Sequence, residues 1–176
     1  MGLPETWVVF DGRIGVRQAH PGELAVVAML LDEASAWLAG RGQLGWPRPF
    51  PVATLEATLT VGPTYLAWDG PTAAGTFALH RTDLRFWGER PSEPAGFARY
   101  LHKLAVRRGF SGLGRELVTL AEQLAREGGA ACLRLDCRAD SAGIRSYYET
   151  AGFEHRGDIG GPGFDAVYAL YEKSLE

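Results

Sequence analysis

Cysteine and lysine are scarce in this sequence: its 176 residues contain two of each. Cys132 and Cys137 cannot build the disulfide framework of a small secreted domain, so we expect a reducing, cytoplasmic location. The two cysteines fall on opposite faces of their predicted strand, and no His/Cys cluster has zinc spacing. We therefore expect no metal. Arginine outnumbers lysine by 16 to 2, which fits genomic codon bias better than a function.

Long hydrophobic runs and a strong excess of charge are also missing. The longest apolar run, 24–31, is far shorter than the roughly 18 residues of a membrane-spanning helix. No basic region followed by an apolar segment opens the chain, so we expect no secretory signal. A net charge of −3 gives no reason to expect nucleic acid or an anionic membrane as a partner.

Glycine is the residue in excess, with 23 copies, but it follows no three-residue period, which excludes collagen. Hydrophobic periodicity, glycines and prolines predict a mixed α/β domain with helices packed on a central sheet. An N-terminal lead is expected to pair as a hairpin, and a loop is expected from Asp83 to Pro94. The predicted order is strand 13–19, helices 21–39 and 55–61, strands 64–68, 74–80 and 97–106, a helix ending at 127, strand 131–137, helix 141–151 and strand 165–171.

The most informative segment, 106–115, is a glycine-rich loop that joins a strand to a helix. Such a loop brings backbone N–H groups close to an anion, and the helix N-terminus adds partial positive charge. A nucleotide P-loop is excluded because Arg115 and Glu116 stand where lysine and a hydroxyl residue are needed. A dinucleotide fingerprint is excluded because Leu117 replaces the third glycine. A pyrophosphate cradle for coenzyme A and a purely structural turn stay open.

Several segments together resemble the GCN5-related N-acetyltransferases (GNAT). They are the strand 100–106, the Gly112-x-Gly114 loop with the helix after it, the strand 133–136 and the closing motif Tyr148-x-x-x-Gly152-Phe153. The resemblance implies a single-domain α/β fold with a mixed, mostly antiparallel splayed sheet flanked by helices. It implies one acyl-CoA N-acyltransferase domain over 1–176, with an acceptor-side half at 13–97 and a coenzyme-binding half at 98–176.

The resemblance also implies how acetyl-CoA is held. The acyl-pantetheine arm would lie between the strands ending at Val106 and near Cys137, paired with main-chain groups of Leu104 and Val106. The backbone N–H of Val106 would polarise the thioester carbonyl. Amides of the loop would hold the pyrophosphate. The implied coenzyme-binding residues are Leu104, Ala105, Val106, Arg107, Arg108, Ser111, Gly112, Leu113, Gly114, Arg115, Asp140 and Tyr147.

Two positions depart from the family pattern. Gly109 stands where the family has Arg or Gln, and the loop is about two residues shorter than the family's, so Arg107 or Arg108 is expected to supply the missing cation. Asp140 stands where many members have asparagine, and we expect it to cap the following helix.

Acyl transfer to an amine needs a base, because deprotonating an alkyl amine with a pKa near 10.4 costs roughly 4.6 kcal/mol at pH 7. His102 is the candidate base, since its strand resembles that of family members with a catalytic histidine there; the alternative is a structural, hydrogen-bonded histidine. On an alternating strand it would share a face with Leu104 and Val106. Tyr148 occupies the family's general-acid position, and Tyr147 is the fallback.

The sequence gives less specific evidence for the pocket that binds the acceptor than for the coenzyme site. Trp37, Trp46, Asp83 and Trp87 are candidates to line it, because loops carry specificity and carboxylates attract ammonium groups. We expect an acetyl-CoA-dependent N-acetyltransferase that acts on a primary amine of a small molecule by direct transfer in a ternary complex, with peptide N-termini or lysines as the alternative acceptors. A non-catalytic acyl-CoA sensor and an interaction module of the same fold are the alternatives, and the chain is expected to be a monomer or homodimer.

Overall fold

The computed structural model describes residues 6–10, 12–91 and 96–176. Pro94, at the end of the predicted 83–94 loop, lies outside the described residues. The described residues form eight strands and four α-helices. The strands are β1 Thr6–Val9, β2 Ile14–Gln18, β3 Thr64–Asp69, β4 Thr72–His80, β5 Ala98–Val106, β6 Cys132–Arg138, β7 Glu154–Ile159 and β8 Tyr168–Ser174. The helices are α1 Leu24–Ala39, preceded by a 3-10 turn at Pro21–Glu23, α2 Val52–Thr58, α3 Leu113–Glu127 and α4 Ala142–Thr150.

The strands form one sheet in the order β1-β2-β3-β4-β5-β6-β8-β7. Neighbours pair antiparallel from β1 to β4, and β8 pairs antiparallel with both β6 and β7. β5 and β6 pair in parallel over three residues, from Ala98–Cys132 to Tyr100–Arg134, although both strands continue further. The predicted α/β fold with a mixed, mostly antiparallel sheet is confirmed.

Most predicted elements are confirmed within a few residues, including the N-terminal hairpin of β1 and β2. Near the C-terminus, one strand is missing from the prediction and the last strand is shifted along the chain. β7 was not predicted, because its side chains are all exposed or half-buried and show no apolar alternation. The last strand begins at Tyr168 rather than Asp165 and runs to Ser174.

The described residues form two compact units. The first lies within Met1–Ala78 and Lys103–Thr119, and the second within Leu79–His102 and Leu120–Glu176. This division does not test the predicted halves 13–97 and 98–176, which concern ligands and stay a prediction.

In the first unit, the core is built on the apolar face of α1, whose residues Val27 and Leu31 are fully buried. They pack with Leu55 of α2, Leu66 of β3 and Ala105 of β5. Burial of such side chains stabilises the unit by about 1.5–3 kcal/mol each.

In the second unit, β8 is joined to the helices by Lys173. Its Nζ donates to Glu122 Oε1 of α3 at 2.8 Å and to the carbonyl of Ala151, after α4, at 2.9 Å. Both cysteines are buried and free, and burial raises the pKa of Cys137 to about 12, which makes that thiol a poor nucleophile. Among the described residues, no helix is long and apolar enough to cross a membrane.

Candidate active site

The glycine-rich segment is a tight turn that leads directly into α3. Gly109 and Gly112 have φ values of +96° and +91°, the left-handed region that favours glycine. The amides of Leu113 and Arg115 donate to the carbonyls of Phe110 and Gly112, both at 3.1 Å. These two amides are engaged within the turn. The prediction that loop amides bind a pyrophosphate therefore narrows to those of Ser111, Gly112 and Gly114, and it stays a prediction. Gly114 itself is the second residue of α3.

The arginines before this turn contact helix α1. Arg107 forms a bidentate pair with Glu33, with Nε–Oε2 at 2.9 Å and Nη2–Oε1 at 2.8 Å, and this hydrogen bonding raises its pKa. The Arg108 guanidinium lies 4.5 Å from the centre of the Trp37 ring, and Arg41 lies over the same ring at 4.6 Å. Arg107 is therefore already neutralised, whereas Arg108 brings positive charge to the turn.

The N-terminal hairpin also reaches this turn, which the sequence did not indicate. A Cβ built on Gly112 would lie 3.6 Å from Cε2 of Phe10, and the Arg13 guanidinium lies 5.6 Å from the centre of the Phe110 ring. Arg13 is held by an ion pair with Asp69 at the end of β3. Exposed Arg115 is the remaining arginine of the segment.

The end of β5 carries the predicted pantetheine-binding residues. Ala105 is buried, while Leu104 and Val106 are half-buried. β4 approaches closely at Gly75, where a Cβ would lie 3.0 Å from the carbonyl oxygen of Ala105, and Arg107 N–H donates to Ala74 O at 2.8 Å.

β5 is interrupted at Lys103. Its φ of +53° lies in the left-handed region, which a residue with a Cβ adopts at a cost of roughly 1 kcal/mol or more. The regular two-residue alternation therefore stops at this residue. The prediction that His102 shares a face with Leu104 and Val106 assumed an uninterrupted strand and is not supported.

His102, just before this interruption, lies between two carboxylates of the second unit. Its Nε2 is 3.2 Å from Asp83 Oδ2, in the segment after β4, and its Nδ1 is 3.7 Å from Asp136 Oδ1, on β6. The imidazole is also tilted against the ring of buried His80, with centroids 4.8 Å apart. We call Asp83, His102, Asp136 and His80 the histidine cluster. Sequence reasoning selected His102 and Asp83 separately, but missed Asp136 and His80.

Within the histidine cluster, the charge of Asp83 is coupled to His102. Burial opposes ionisation of Asp83, but the hydrogen bond and charge of His102 outweigh it, and the pKa of Asp83 lies below its usual value. Asp83 thus stays ionised beside the candidate base.

The same side chains could in principle ligate a cation. One atom each from Asp83, His102 and Asp136 lie within 4.8 Å of one another. However, the two ring nitrogens face different carboxylates, whereas a single ion binds an imidazole through one nitrogen.

A buried arginine holds the segment after β4 that carries Asp83. Arg134 of β6 pairs with Glu172 of β8 at 2.7 Å, and the side chains are 3% and 2% exposed. It also donates to the carbonyls of Arg90 and Pro91, at 2.9 and 2.6 Å, and its guanidinium lies 4.3 Å from the centre of the Trp87 ring. We call this arrangement the Arg134 clamp.

Tyr148 lies on α4 and is buried. Its ring packs edge-on against Tyr147 at 5.2 Å and Phe153 at 5.8 Å. Burial raises the pKa of Tyr148 far above its usual value, so its hydroxyl stays protonated as a hydrogen-bond donor. Gly152, with φ of +89°, follows the C-terminal end of α4, as predicted.

Asp140, at the start of α4, forms a bidentate pair with Arg138, with distances of 3.0 and 2.7 Å. The prediction that it caps α4 is wrong, because Ser141 is the N-cap residue. The pairing lowers the pKa of Asp140 and offsets its charge. Asp140 also lines a cavity of about 300 Å³, together with Ala139, Ala142, Arg145, Ser146 and Glu149.

The predicted acceptor-pocket side chains differ in exposure. In the first unit, Trp37 is 39% exposed and Trp46 is partly buried against the core of α1. In the second unit, Trp87 is 2% exposed and packs in the Arg134 clamp, which favours a packing role. Asp83 contacts the candidate base directly. Their roles toward an acceptor stay predictions.

Comparison with known proteins gives consistent relatives over nearly the whole chain. The chain is 29% identical over 181 residues to the uncharacterized N-acetyltransferase YesJ of Bacillus subtilis (97% of this chain, 95% of that protein). It is similar to a GNAT family acetyltransferase from Listeria monocytogenes, with 27% identity, a TM-score of 0.72 and coverage of 90% and 93%. It shares its fold with yncA of Salmonella typhimurium, solved with its cofactor acetyl-CoA, with 15% identity, a TM-score of 0.64 and coverage of 93% and 95%.

The family resemblance is confirmed by a direct match to a family model. The model described as the acetyltransferase (GNAT) family matches residues 28–153, well over half of the chain. This range includes the glycine-rich turn, His102, Asp136 and Tyr148. The chain therefore belongs to the acetyltransferase (GNAT) family.

Proposed function

We propose that this protein transfers an acetyl group from acetyl-CoA to a primary amine of a small molecule, by direct transfer in a ternary complex. The observation that carries the proposal is His102 held between Asp83 and Asp136, because neighbouring carboxylates orient an imidazole for the role of a base that takes a proton from an ammonium group. Membership of an acetyltransferase family supports acetyl-CoA as the donor.

On the donor side, the amides of Ser111, Gly112 and Gly114 hold the pyrophosphate, with Arg108 as the nearby cation. Main-chain groups of Leu104 and Val106 pair with the pantetheine arm. The cavity that Asp140 lines at the start of α4 takes a further part of the coenzyme in this proposal, since Arg138 offsets the charge of Asp140.

In the reaction, His102 accepts a proton from the substrate ammonium, and the neutral amine nitrogen attacks the thioester carbonyl carbon. The Val106 N–H donates to the oxyanion that forms. The carbon–sulfur bond then breaks, and Tyr148 donates a hydrogen bond to the leaving thiolate. The products are an N-acetyl amide, coenzyme A and one released proton. The ammonium loses two protons in all: the first goes to His102 and then to solvent, and the second, lost by the same nitrogen as the amide forms, balances the proton that the thiolate gains.

Two measurements test this function. Thiol release from acetyl-CoA is followed with a broad panel of primary amines, and the acetylated product is identified by mass. Acetyl-CoA binding without turnover across the panel would favour an acyl-CoA sensor. Failure of acetyl-CoA to shift the melting temperature at concentrations well above micromolar would favour an interaction module.

We propose that the protein is a cytoplasmic monomer or homodimer that uses no metal and has no nucleic-acid or membrane partner. The two buried, free cysteines are consistent with a reducing compartment. Size-exclusion chromatography with light scattering determines the oligomeric state.

A further inference from the structure

We infer that two arginines and a tryptophan beside the glycine-rich turn bind the 3′-phosphate of coenzyme A. The inference rests on the proposed function and adds a preference for the phosphorylated coenzyme over its dephospho form. The residues are Trp37 in the last turn of α1, Arg41 just after this helix, and Arg108 at the start of the glycine-rich turn. All three belong to the first compact unit, and we call them the Trp37 site.

The two guanidinium groups of the Trp37 site lie over one aromatic ring. Arg41 is 4.6 Å and Arg108 is 4.5 Å from the centre of the Trp37 ring. Since both distances are measured to the same ring, the two positive charges lie close together. The electron-rich face of the indole attracts the guanidinium groups and offsets part of the repulsion between them. A surface that gathers two like charges in this way attracts an anion.

Carboxylates of the protein do not neutralise these two charges. Within residues 6–10, 12–91 and 96–176, no aspartate or glutamate pairs with Arg41 or Arg108. Glu33, one helical turn before Trp37, is instead engaged by two nitrogens of Arg107. The Trp37 site therefore keeps an excess of two positive charges, whereas Arg107 already has its counter-ion.

The surface next to both arginines is open. Arg41 and Arg108 are exposed, and each is followed by a glycine, Gly42 and Gly109. A Cβ built on either glycine would meet no described atom within 4 Å. An anion can therefore reach both guanidinium groups without a change in the backbone.

The position of Arg108 in the chain identifies the anion. Arg108 lies three residues before Ser111, the first of the amides proposed to hold the pyrophosphate. The other phosphate of coenzyme A, on the 3′-oxygen of the ribose, is one sugar away from that pyrophosphate. As a monoester with a second pKa of about 6, it carries nearly two negative charges at neutral pH. It thus matches the two charges of the Trp37 site, and guanidinium groups bind phosphate through paired N–H donors.

The experiment measures the Kd of coenzyme A and of 3′-dephospho-coenzyme A for the whole chain by isothermal titration calorimetry at neutral pH. We expect the wild type to bind coenzyme A at least about tenfold more tightly. Equal Kd values would overturn the inference and leave the proposed function standing, since acetyl transfer does not require this preference. A wild type that binds neither ligand would overturn both.

Arg41→Gln locates the effect, because Arg108 also serves the pyrophosphate in the proposed function. This variant should weaken binding of coenzyme A severalfold and leave binding of the dephospho form nearly unchanged. Arg48→Gln is the matched control, since it removes the same charge from another exposed arginine of the first unit. A preference that survives in Arg41→Gln, or that falls equally in Arg48→Gln, would overturn the assignment to the Trp37 site.

Trp37 is a positioning residue in this inference, and two substitutions test it. Trp37→Leu should reduce the ratio of the two Kd values as Arg41→Gln does, whereas Trp37→Phe keeps an aromatic face and should retain most of it. The ratio is the readout because a general loss of stability would weaken both ligands alike. An unchanged ratio in Trp37→Leu would overturn the role of the ring.

An anionic group on the acceptor is the competing ligand for the same two arginines. In that case the two coenzyme forms would bind equally, and Arg41→Gln would raise only the KM of the acceptor in the acetyl-transfer assay. That result would overturn the assignment to the coenzyme.

Discussion

His102 is the side chain on which the proposed chemistry depends, because both of its ring nitrogens face a carboxylate. The fraction of acceptor amine that is already neutral rises with pH, so a base matters most at neutral pH and below. We expect His102→Ala to lower kcat/KM by about 10²-fold at pH 7 and by less as pH rises toward 10.

The low pKa of Asp83 keeps its charge constant in this comparison. Because that pKa lies below its usual value, Asp83 stays ionised throughout the measured range and does not itself change the profile. Activity is measured from pH 6 to 10, with His155→Ala as the control for an exposed histidine paired with an aspartate. Profiles of wild type and His102→Ala that stay parallel would show that His102 is not the base.

Tyr148 is the proposed hydrogen-bond donor to the leaving thiolate. Tyr148→Phe keeps the buried ring and its contacts with Tyr147 and Phe153 while removing the hydroxyl. We expect kcat to fall by about 10²-fold with little change in acetyl-CoA affinity. The control is Tyr168→Phe, which removes a hydroxyl that donates to Asp165. Wild-type kcat in Tyr148→Phe would contradict the role.

At the scale of elements, the Arg134 clamp joins β6, β8 and the segment that carries Asp83. Arg134→Met should lower the free energy of unfolding by about 3 kcal/mol, because buried Glu172 loses its partner at 2.7 Å, keeping Arg156 at 3.4 Å, and the carbonyls of Arg90 and Pro91 lose their donor. The double variant Arg134→Met/Glu172→Met should recover much of that loss. Urea unfolding measures both, and a double variant as unstable as the single one would contradict this explanation.

The elements also show what the sequence could and could not predict. α1 and α3 were predictable because apolar residues recur at helical spacing and glycines follow their ends. β7 was not, because its stability comes from pairing with β8 rather than from apolar side chains of its own. The left-handed Lys103 was equally hidden, since lysine is not a residue that signals positive φ.

In the candidate site too, the features that are local in sequence were predictable and those that join distant positions were not. The glycine-rich turn and the closing Tyr-x-x-x-Gly-Phe motif are local in sequence and therefore visible. The histidine cluster joins residues from β4, β5, β6 and a loop, at positions 80, 83, 102 and 136, and only the folded sheet places them together. The pairing of Arg107 with Glu33 is similarly non-local and removes one of the two expected phosphate cations.

For the molecule as a whole, donor binding should appear as thermal stabilisation. A ligand at 100 times its Kd adds about 2.7 kcal/mol, which for a chain of this size raises Tm by roughly 5–10 °C. We expect Gly112→Ala to reduce this shift, because Gly112 holds φ of +91° in the proposed pyrophosphate turn.

Gly161→Ala is the matched control for that measurement. Gly161 has φ of +100° in the segment before β8, and a Cβ there would meet no atom within 4 Å. Both variants should lower the basal Tm, but only Gly112→Ala should weaken the response to acetyl-CoA. An equal loss of response in the two variants would argue against the turn as the coenzyme site.

The anchoring of Lys173 between Glu122 and Ala151 has a consequence for chemical labelling. The guanidinium groups of the 16 arginines do not deprotonate and so do not react with acylating reagents, which leaves Lys173 and Lys103 as the side chains that carry an amine. Contacts with Glu122 and Ala151 hold the Lys173 amine in place, so its labelling should rise when the second unit opens. Mass spectrometry of the labelled protein therefore follows local opening at two defined positions without engineering a probe into the protein.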